Sequence, residues 1–566
     1  MDQSRNRLTY TFVTGAFLIA SYLCGGQALA QHTQDPRAER VDALYAGLNR
    51  TPSPGLAVVV VRDGKIILRR GYGLASIEHR VPITPATVFD VASLSKQFTG
   101  LAVAMLVSDG KIKLTDDIRK YIPELPSFGR PITIEHLLHH TSGLRDWPGT
   151  LSVAGWKYED VITFRQILTM AYNQQTLNFE PGAEHLYSNT GYNLLAEMVQ
   201  RVTGQSFRAW TDAHIFRPLG MVNTHFRDDY TEVIANRAFG YARAADGNYR
   251  STPDNLTALG SSSLFSTADD IARWLINFDE AAVGGRAAVA LMQTRGALND
   301  GTPVRYAFGI LLGSYRGLPM FTHSGGWASF DTYDVYFPQQ KFGIVALANS
   351  NSIDAQSVVI KIANIYLEKE LAPESPSPEA TPAARIPNLP PAVLEAYEGL
   401  YRLRPGSYVR VKREGGTLTA QTTRGNPATM LPRSEREFRL EPEGTTVVFQ
   451  RDADGKVVSM EYDGEPARKV DASNSRPPAQ LADYAGEYYS EELDTFYRVV
   501  VKNGELEIHH PRRGGFPLAW LWREEFGSPA TYLSSVEFHR DGAGHVTGLI
   551  INGDPRSRDI RFVKRR

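Results

Sequence analysis

The sequence has almost no cysteine, because Cys24 is the single one among 566 residues. A disulfide framework is therefore excluded, and so is any cysteine-rich zinc or iron–sulfur site. Hydrophobic residues make up 42% of the chain and charged residues 22%, which is enough apolar side chain to bury large cores. We expect several domains that hold together without disulfides.

Positive charge is not in surplus either. The 61 Lys and Arg residues and the 62 Asp and Glu residues leave a formal charge of −1. A protein that binds a polyanion normally carries a basic excess, so we expect no nucleic-acid partner. The motifs GxSxG, GxxxxGK[ST] and HExxH are also missing. Absence of the first two disfavours α/β-hydrolase and P-loop chemistry.

Long hydrophobic runs are confined to the N-terminus. An apolar stretch at residues 10–24 follows Arg5 and Arg7, and Ala28-Leu29-Ala30 has the small–x–small pattern of a cleavage site. We predict a secretory signal peptide at residues 1–30 and a periplasmic or secreted protein with no integral membrane segment after its removal. A membrane anchor is the weaker alternative, because the stretch is short for a bilayer span of about 20 residues.

Residues 41–370 alternate helical and strand patterns. Apolar residues recur at helical spacing in residues 94–107 and 192–202, and strand-like runs lie at 55–69 and again between 306 and 348. Strands at both ends with helices between them predict an α+β domain. Its single antiparallel sheet is expected to be built from both ends of the segment.

The composition changes after this domain. Residues 371–391 are rich in proline and are predicted to be a linker. Beyond them only short β segments occur, in two similar copies that begin with Tyr397-Glu398-Gly399-Leu400-Tyr401 and Tyr484-Ala485-Gly486-Glu487-Tyr488. A repeat of short strands is typical of small closed sheets. We predict two barrel-like (lipocalin-like) domains, at residues 392–472 and 479–566.

A candidate nucleophile stands at the start of a predicted helix, in Ser93-Leu94-Ser95-Lys96. A serine at a helix start lies at the positive end of the dipole, and a lysine three residues on shares its face. Burial could lower the pKa of that lysine enough for it to accept or relay the hydroxyl proton. SxxK alone is weak, since a capped and exposed helix start would look the same.

Two further motifs follow along the chain. Tyr187-Ser188-Asn189 lies on a loop before a predicted helix, where its tyrosine could act as a base or could simply form a turn. His323-Ser324-Gly325-Gly326 enters a strand region. Its glycines could let a substrate lie against a sheet edge, or could belong to an ordinary hairpin.

In combination, these three motifs resemble the serine β-lactamase and penicillin-binding-protein superfamily. The order SxxK, YxN and [KH]xG, near these spacings, is similar to the branch of class C β-lactamases, D-aminopeptidases and related esterases. The stretches at 134–144 and 266–270 resemble that branch too. The resemblance covers roughly residues 41–368. It implies a β-lactamase/DD-peptidase-like catalytic domain, with an antiparallel sheet and a helical region.

The resemblance also implies roles for individual residues. Ser93 would be the acylated nucleophile, with Lys96 and Tyr187 sharing proton transfer and Tyr187 favoured as the base and later the acid. Asn189, His323 and Gly325 would bind substrate. The backbone N–H groups of Ser93 and Gly326 would form the oxyanion hole. No cofactor or metal is expected, although His136, His139 and His140 have a spacing that could place two ligands on one face.

One departure from the family pattern bears on substrate choice. Most β-lactamases and carboxypeptidases have a lysine where this chain has His323, and neutral histidine supplies no reliable charge for a substrate carboxylate. We therefore predict an exported D-aminopeptidase-like or esterase-like serine hydrolase acting on small peptide, amide or ester substrates. The alternatives are a β-lactamase or DD-peptidase, or a non-catalytic penicillin- or peptidoglycan-binding protein. The oligomeric state stays open.

The C-terminal region offers one more hypothesis. Residues 511–517 interrupt the last predicted barrel, and the simpler interpretation is a long hairpin. The alternative is a loop that reaches the catalytic cleft and restricts the substrate.

Overall fold

The computed structural model describes residues 35–373, 389–471 apart from 424 and 443, and 480–565. The predicted signal peptide and most of the proline-rich linker lie outside the described residues. Within the described ranges, no helix is both long and apolar enough to cross a bilayer.

The first described range holds ten α-helices and fifteen strands. The helices are α1 (Pro36–Tyr45), α2 (Ser95–Ser108), α3 (Ile134–Leu138), α4 (Trp147–Val153), α5 (Phe164–Asn173), α6 (Asn189–Thr203), α7 (Phe207–Thr211), α8 (Ala268–Glu280), α9 (Gly285–Met292) and α10 (Ala355–Tyr366). The strands are β1 (Leu56–Arg62), β2 (Lys65–Tyr72), β3 (Leu74–Ser76), β4 (Val81–Pro82), β5 (Val88–Asp90), β6 (Ile162–Thr163), β7 (His225–Phe226), β8 (Gly240–Arg243), β9 (Tyr249–Thr252), β10 (Leu256–Thr257), β11 (Leu264–Thr267), β12 (Leu311–Tyr315), β13 (Leu318–Trp327), β14 (Phe330–Phe337) and β15 (Phe342–Ala348).

The main sheet is antiparallel and has the strand order β12-β13-β14-β15-β1-β2. Its strands come from both ends of this range, which confirms the α+β prediction. β1 lies between β15 and β2 and is apolar on both faces, so Val59 and Val61 join the core under α8 while Val58 and Val60 face α1 and α10. A strand covered on both sides reads as a continuous hydrophobic run.

The helix that follows the candidate nucleophile is buried on nearly all sides. α2 packs against α9 and α6, and every residue from Ser95 to Ala104 is buried. The helical spacing predicted at 94–107 is confirmed. A helix without an exposed face keeps its first turn fixed, and that turn carries the SxxK motif.

The C-terminal region forms two closed barrels of eight strands each, preceded by α11 (Pro391–Tyr397). The first contains β16 (Gly399–Arg404), β17 (Ser407–Glu414), β18 (Thr417–Thr422), β19 (Ala428–Pro432), β20 (Glu437–Glu441), β21 (Thr446–Arg451), β22 (Val457–Tyr462) and β23 (Glu465–Val470). The second contains β24 (Gly486–Ser490), β25 (Thr495–Lys502), β26 (Glu505–His510), β27 (Gly514–Trp522), β28 (Glu525–Gly527), β29 (Ser535–Arg540), β30 (Val546–Asn552) and β31 (Ile560–Arg565). The prediction of two barrel-like folds is confirmed.

The sequence repeat has a structural cause in each barrel. The Tyr401 hydroxyl donates to the Tyr397 carbonyl at 2.8 Å, and the Tyr488 hydroxyl donates to the Tyr484 carbonyl at 2.7 Å. All four tyrosines are buried. The glycine between each pair has a positive φ, +152° at Gly399 and +150° at its counterpart Gly486, which an L-residue rarely adopts.

The second barrel docks directly on the first described range, at Arg145 and Val153. Tyr497 donates its hydroxyl to the Val153 carbonyl at 2.7 Å, and the buried Arg145 guanidinium forms an ion pair with Glu492. The first barrel in turn contacts the second through the buried Glu525, which accepts hydrogen bonds from Gly406 N at 2.7 Å and from the Tyr408 hydroxyl. The second barrel therefore contacts both the first described range and the first barrel.

We expect Tyr488→Phe to lower the free energy of unfolding by about 1–2 kcal/mol, because it leaves the Tyr484 carbonyl without its buried donor. Tyr489→Phe is the matched control, since its hydroxyl bonds Asp494 at the surface. Urea denaturation of both variants tests this. Equal midpoints for the two would contradict the assignment of the repeat to these hydrogen bonds.

Candidate active site

Ser93 lies in the middle of a single 3-10 turn, Ala92–Leu94, that leads directly into α2. The residue before it, Ala92, has φ +48° and donates its N–H to Asp90 Oδ1 at 2.7 Å. A non-glycine residue in this region of φ is strained, and the buried carboxylate holds it there. Ser93 itself is only half-buried, so its hydroxyl can meet a ligand.

Lys96 is fully buried directly behind that hydroxyl. Its Nζ lies 3.2 Å from Ser93 Oγ, 2.8 Å from Asn189 Oδ1 and 2.7 Å from the Ser261 carbonyl oxygen. Burial holds the pKa of Lys96 well below its usual range. A neutral amine has two N–H bonds and one lone pair. In the neutral form that burial favours, the two N–H bonds go to the amide and carbonyl oxygens, which can only accept, and the lone pair faces Ser93.

Tyr187 lies beside both Ser93 and Lys96. Lys96 Nζ lies 4.8 Å from the centroid of the Tyr187 ring. Burial raises the pKa of Tyr187, while a hydrogen bond with the Ser93 hydroxyl acts to lower it. The net direction is upward, so the phenol keeps its proton at neutral pH and can donate it.

Asn189 opens α6 and is held in one orientation. Its backbone N–H and its Nδ2 donate to the two oxygens of Asp146, at 2.7 and 3.1 Å. A carboxylate can only accept, so the amide oxygen of Asn189 turns towards Lys96. Asp146 is wholly buried and pairs with Arg556 of the second barrel at 3.0 Å.

The third motif lies on β13, where this strand extends past its neighbour. β12 pairs with β13 only as far as Thr322, so 323–327 leave one edge open towards Ser93. Gly325 makes the close approach: a Cβ there would collide with the Val91 carbonyl and Thr332 Oγ1. A side chain at this position would push β13 away from the 3-10 turn.

The His323 ring does not line the cleft. It is 5% exposed, its Nδ1 donates to the Ser324 carbonyl at 2.6 Å, and its Nε2 accepts from the Tyr306 hydroxyl at 2.7 Å. Burial lowers the pKa of His323 to about 3, so the ring is neutral. The ring is therefore not available to a substrate, which would have to contact other parts of this motif.

A cleft of about 410 Å³ opens above the hydroxyl. It is lined by Ser93, Tyr187, Asn189 and Gly326, and three aromatic side chains form its walls: Trp147, Tyr158 and Trp327. The structure thus brings Ser93, Lys96, Tyr187, Asn189 and the two glycines to one place. It leaves the His323 side chain outside.

The three histidines with metal-like spacing are engaged separately. His136 Nδ1 accepts from Thr133 N, His139 Nδ1 lies 2.8 Å from the Tyr306 carbonyl, and His140 Nδ1 accepts from Ser188 N. Among the described residues, no three His, Cys, Asp or Glu side chains are arranged to hold a metal ion.

The barrel segment that enters the cleft is the β30–β31 connection, residues 553–559, through Arg556. Residues 511–517 are largely strand, with a short turn at 511–513, so the hairpin interpretation holds for them. Arg512 instead pairs with Asp160 outside the cleft lining. The hypothesis of a loop that reaches the cleft is therefore right about the second barrel but wrong about the segment, which is 553–559 and not 511–517.

Sequence reasoning missed Asp146 and Arg556. Asp146 follows the stretch that resembles the family loop, but nothing in its neighbours marks it as buried. A signal for Arg556 did exist: the equivalent hairpins of the two repeats differ in length, with a two-residue turn at 463–464 and a seven-residue connection at 553–559.

Comparison with known proteins agrees with this geometry. The family described as beta-lactamase matches residues 39–364. The chain belongs to the beta-lactamase family. A domain of unknown function matches residues 383–474, over the first barrel. The family match confirms the resemblance carried by the three motifs.

The similarity to individual proteins extends beyond the residues that the family matches. The chain is 28% identical over 468 residues to a D-aminopeptidase of Gluconobacter oxydans, covering 81% of this chain and 84% of that protein. It is 27% identical over 430 residues to a penicillin-binding protein of Bacillus subtilis, covering 73% and 94%. The octameric penicillin-binding protein homologue of Pyrococcus abyssi shares the fold, with TM-score 0.54, 20% identity, and coverage of 85% and 99%.

We expect Gly325→Ala to reduce labelling of Ser93 by a fluorophosphonate at least about tenfold, because a misplacement of about 1 Å at a reacting centre has effects of this size. Gly416→Ala is the control, since open space surrounds its Cβ position in the first barrel. Labelling is compared at equal amounts of folded protein. Unchanged labelling would mean that the close approach of β13 does not shape the site.

Proposed function

We propose that the protein is an exported serine hydrolase that acts through an acyl-enzyme on amide or ester substrates. One observation carries the proposal: the buried Lys96 Nζ lies 3.2 Å from Ser93 Oγ with its two N–H bonds committed elsewhere. A base within hydrogen-bond reach of a half-exposed hydroxyl is the arrangement that nucleophilic catalysis requires.

In the acylation step, Ser93 Oγ attacks the substrate carbonyl and Lys96 takes the hydroxyl proton. The family resemblance favoured Tyr187 as this base, whereas the pKa directions favour Lys96, because burial shifts the pKa of Lys96 down, towards the free amine, and that of Tyr187 up, towards the protonated phenol. The oxyanion would be stabilised by the N–H groups of Ser93 and Gly326, each typically worth about 3 kcal/mol.

Tyr187 then serves as the acid in this scheme. Its phenol forms a hydrogen bond with the Ser93 hydroxyl and would donate a proton to the leaving amine or alcohol. The phenolate is reprotonated from Lys96, and a water molecule attacks the acyl-enzyme with the same groups in reverse. Asn189, oriented towards Lys96 by Asp146, completes the proposed binding site for the substrate amide.

The cleft supports a D-aminopeptidase-like or esterase-like substrate range. Its aromatic walls suit a small apolar acyl group, and the neutral His323 provides no cation for a carboxylate. The named activity of the Gluconobacter relative supports amide substrates. Secretion or export to the periplasm is the corresponding proposal for location, based on the signal pattern at residues 1–30.

A substrate panel on purified protein tests the proposal. Hydrolysis of D-Ala-p-nitroanilide and p-nitrophenyl acetate, absent in Ser93→Ala, is the expected result. Nitrocefin turnover faster than either would indicate a β-lactamase. Fluorescent penicillin labelling of Ser93 without turnover of any substrate would indicate a binding protein.

Replacing the proposed base gives a sharper prediction. Lys96→Arg should lower kcat/KM at least about 1,000-fold, because a guanidinium stays protonated and cannot accept the hydroxyl proton. In the wild-type protein, kcat/KM should be retained at neutral pH and fall in acid as the Lys96 amine takes up a proton. Lys111→Arg, an exposed lysine after α2, is the control. Activity of Lys96→Arg near the wild-type value would exclude Lys96 as the base.

A further inference from the structure

Asp146 is a buried carboxylate whose counter-ion comes from another domain. It is fully buried, and Arg556 Nη1 lies 3.0 Å from its Oδ2. Across the described ranges, Arg556 is the only cation within salt-bridge distance of Asp146. Burial raises the pKa of Asp146, and Arg556 is the largest influence opposing that rise. An ionised carboxylate in such a place needs both a partner charge and hydrogen bonds.

The carboxylate connects to the proposed base through a single residue. Asp146 binds the backbone N–H and the Nδ2 of Asn189, and Asn189 Oδ1 accepts from Lys96 Nζ at 2.8 Å. If Asp146 were displaced or lost its charge, the amide of Asn189 could turn its NH2 group towards Lys96. Lys96 would then lose one of the two acceptors that leave its lone pair free for Ser93.

The backbone of 553–559 is held independently of the Arg556 side chain. The Arg556 carbonyl accepts from Asp146 N at 3.0 Å and from Asn178 Nδ2 at 2.9 Å, and Arg558 N donates to Asn178 Oδ1 at 2.9 Å. Replacing the guanidinium therefore leaves these docking bonds in place. This separates the charge of Arg556 from the attachment of the barrel.

We propose that Arg556 of the second barrel is a positioning residue of the catalytic centre, which through Asp146 and Asn189 keeps Lys96 in its working arrangement. This rests on the proposed function. Arg556 is one-third exposed in the cleft, so a direct role in binding substrate is the competing explanation that the experiment must exclude.

The charged groups around Lys96 should affect how kcat/KM depends on pH. The titratable and charged groups that face it are Tyr187, Tyr192, His140, His323 and Asp146, with Arg556 behind Asp146. Burial lowers the pKa of Lys96, Asp146 raises it and Arg556 lowers it. Without the guanidinium, an Asp146 that stays ionised acts uncompensated and raises the pKa of Lys96, whereas an Asp146 that takes up a proton no longer raises it. In either case the pH at which Lys96 takes up its proton changes.

The test is a double-mutant cycle in the full chain. Arg556→Gln should lower kcat/KM about thirtyfold, mainly through kcat, as expected when one partner of a buried ion pair is removed. In the Asp146→Asn background the same change should cost less than about threefold, because Arg556 acts through that carboxylate. The acid limb of kcat/KM should move away from its wild-type position in Arg556→Gln. Arg556→Lys, which keeps the charge, should recover part of the loss.

Arg558→Gln is the matched control, since it removes an ion pair with Glu184 from the same loop and should stay within about twofold of wild type. Equal costs of Arg556→Gln in both backgrounds, or a loss confined to KM, would overturn the proposal and make Arg556 a substrate contact. An unshifted acid limb would overturn it as well. If the wild-type protein and Ser93→Ala hydrolyse substrate equally, the proposed function has failed instead.

Discussion

The burial of one amine is the constraint on which the rest of the site depends. Burial of a lysine side chain disfavours its protonated form. Lys96 is fully buried, and its two closest hydrogen-bond partners are oxygens that can only accept. The amine therefore directs its lone pair at Ser93. This geometry requires α2 to be packed on all sides, because an exposed first turn would let the side chain reach water and regain its charge.

The burial of Lys96 also imposes a requirement on its neighbour Asn189. Asn189 must present its oxygen and not its NH2 group to Lys96, and the carboxylate of Asp146 enforces that choice. A buried carboxylate needs a cation in turn, and the catalytic region supplies none within salt-bridge distance in its described part. Arg556 enters from the second barrel to fill this place. In the proposed scheme, a site whose motifs all lie in the first described range therefore depends on a residue of the second barrel as well.

Local patterns in the sequence predicted most of the fold and the centre of the site. Helical spacing located α2, and the motif order grouped Ser93, Lys96 and Tyr187, which the structure brings together. The paired tyrosines predicted the barrels because the same hydrogen bond and the same glycine conformation recur in each copy. These features depend on residues that are close along the chain. The burial of the His323 ring was not foreseen, since it arises from Tyr306, which packs against it from a separate loop.

The two barrels show why the remaining contact was hard to see. They share strand order, signature tyrosines and even a basic side chain over each ring, Arg451 over Tyr397 and Arg540 over Tyr484. A search for repeats detects the features that both copies share. The contact with Asp146 comes from residues that only the second copy has. The two-residue turn at 463–464 joins β22 to β23 directly. Five extra residues at the equivalent place in the second barrel give the chain enough length to cross to Asp146. In a duplicated domain, the length difference between equivalent hairpins is therefore the place to look for a contact with a neighbouring site.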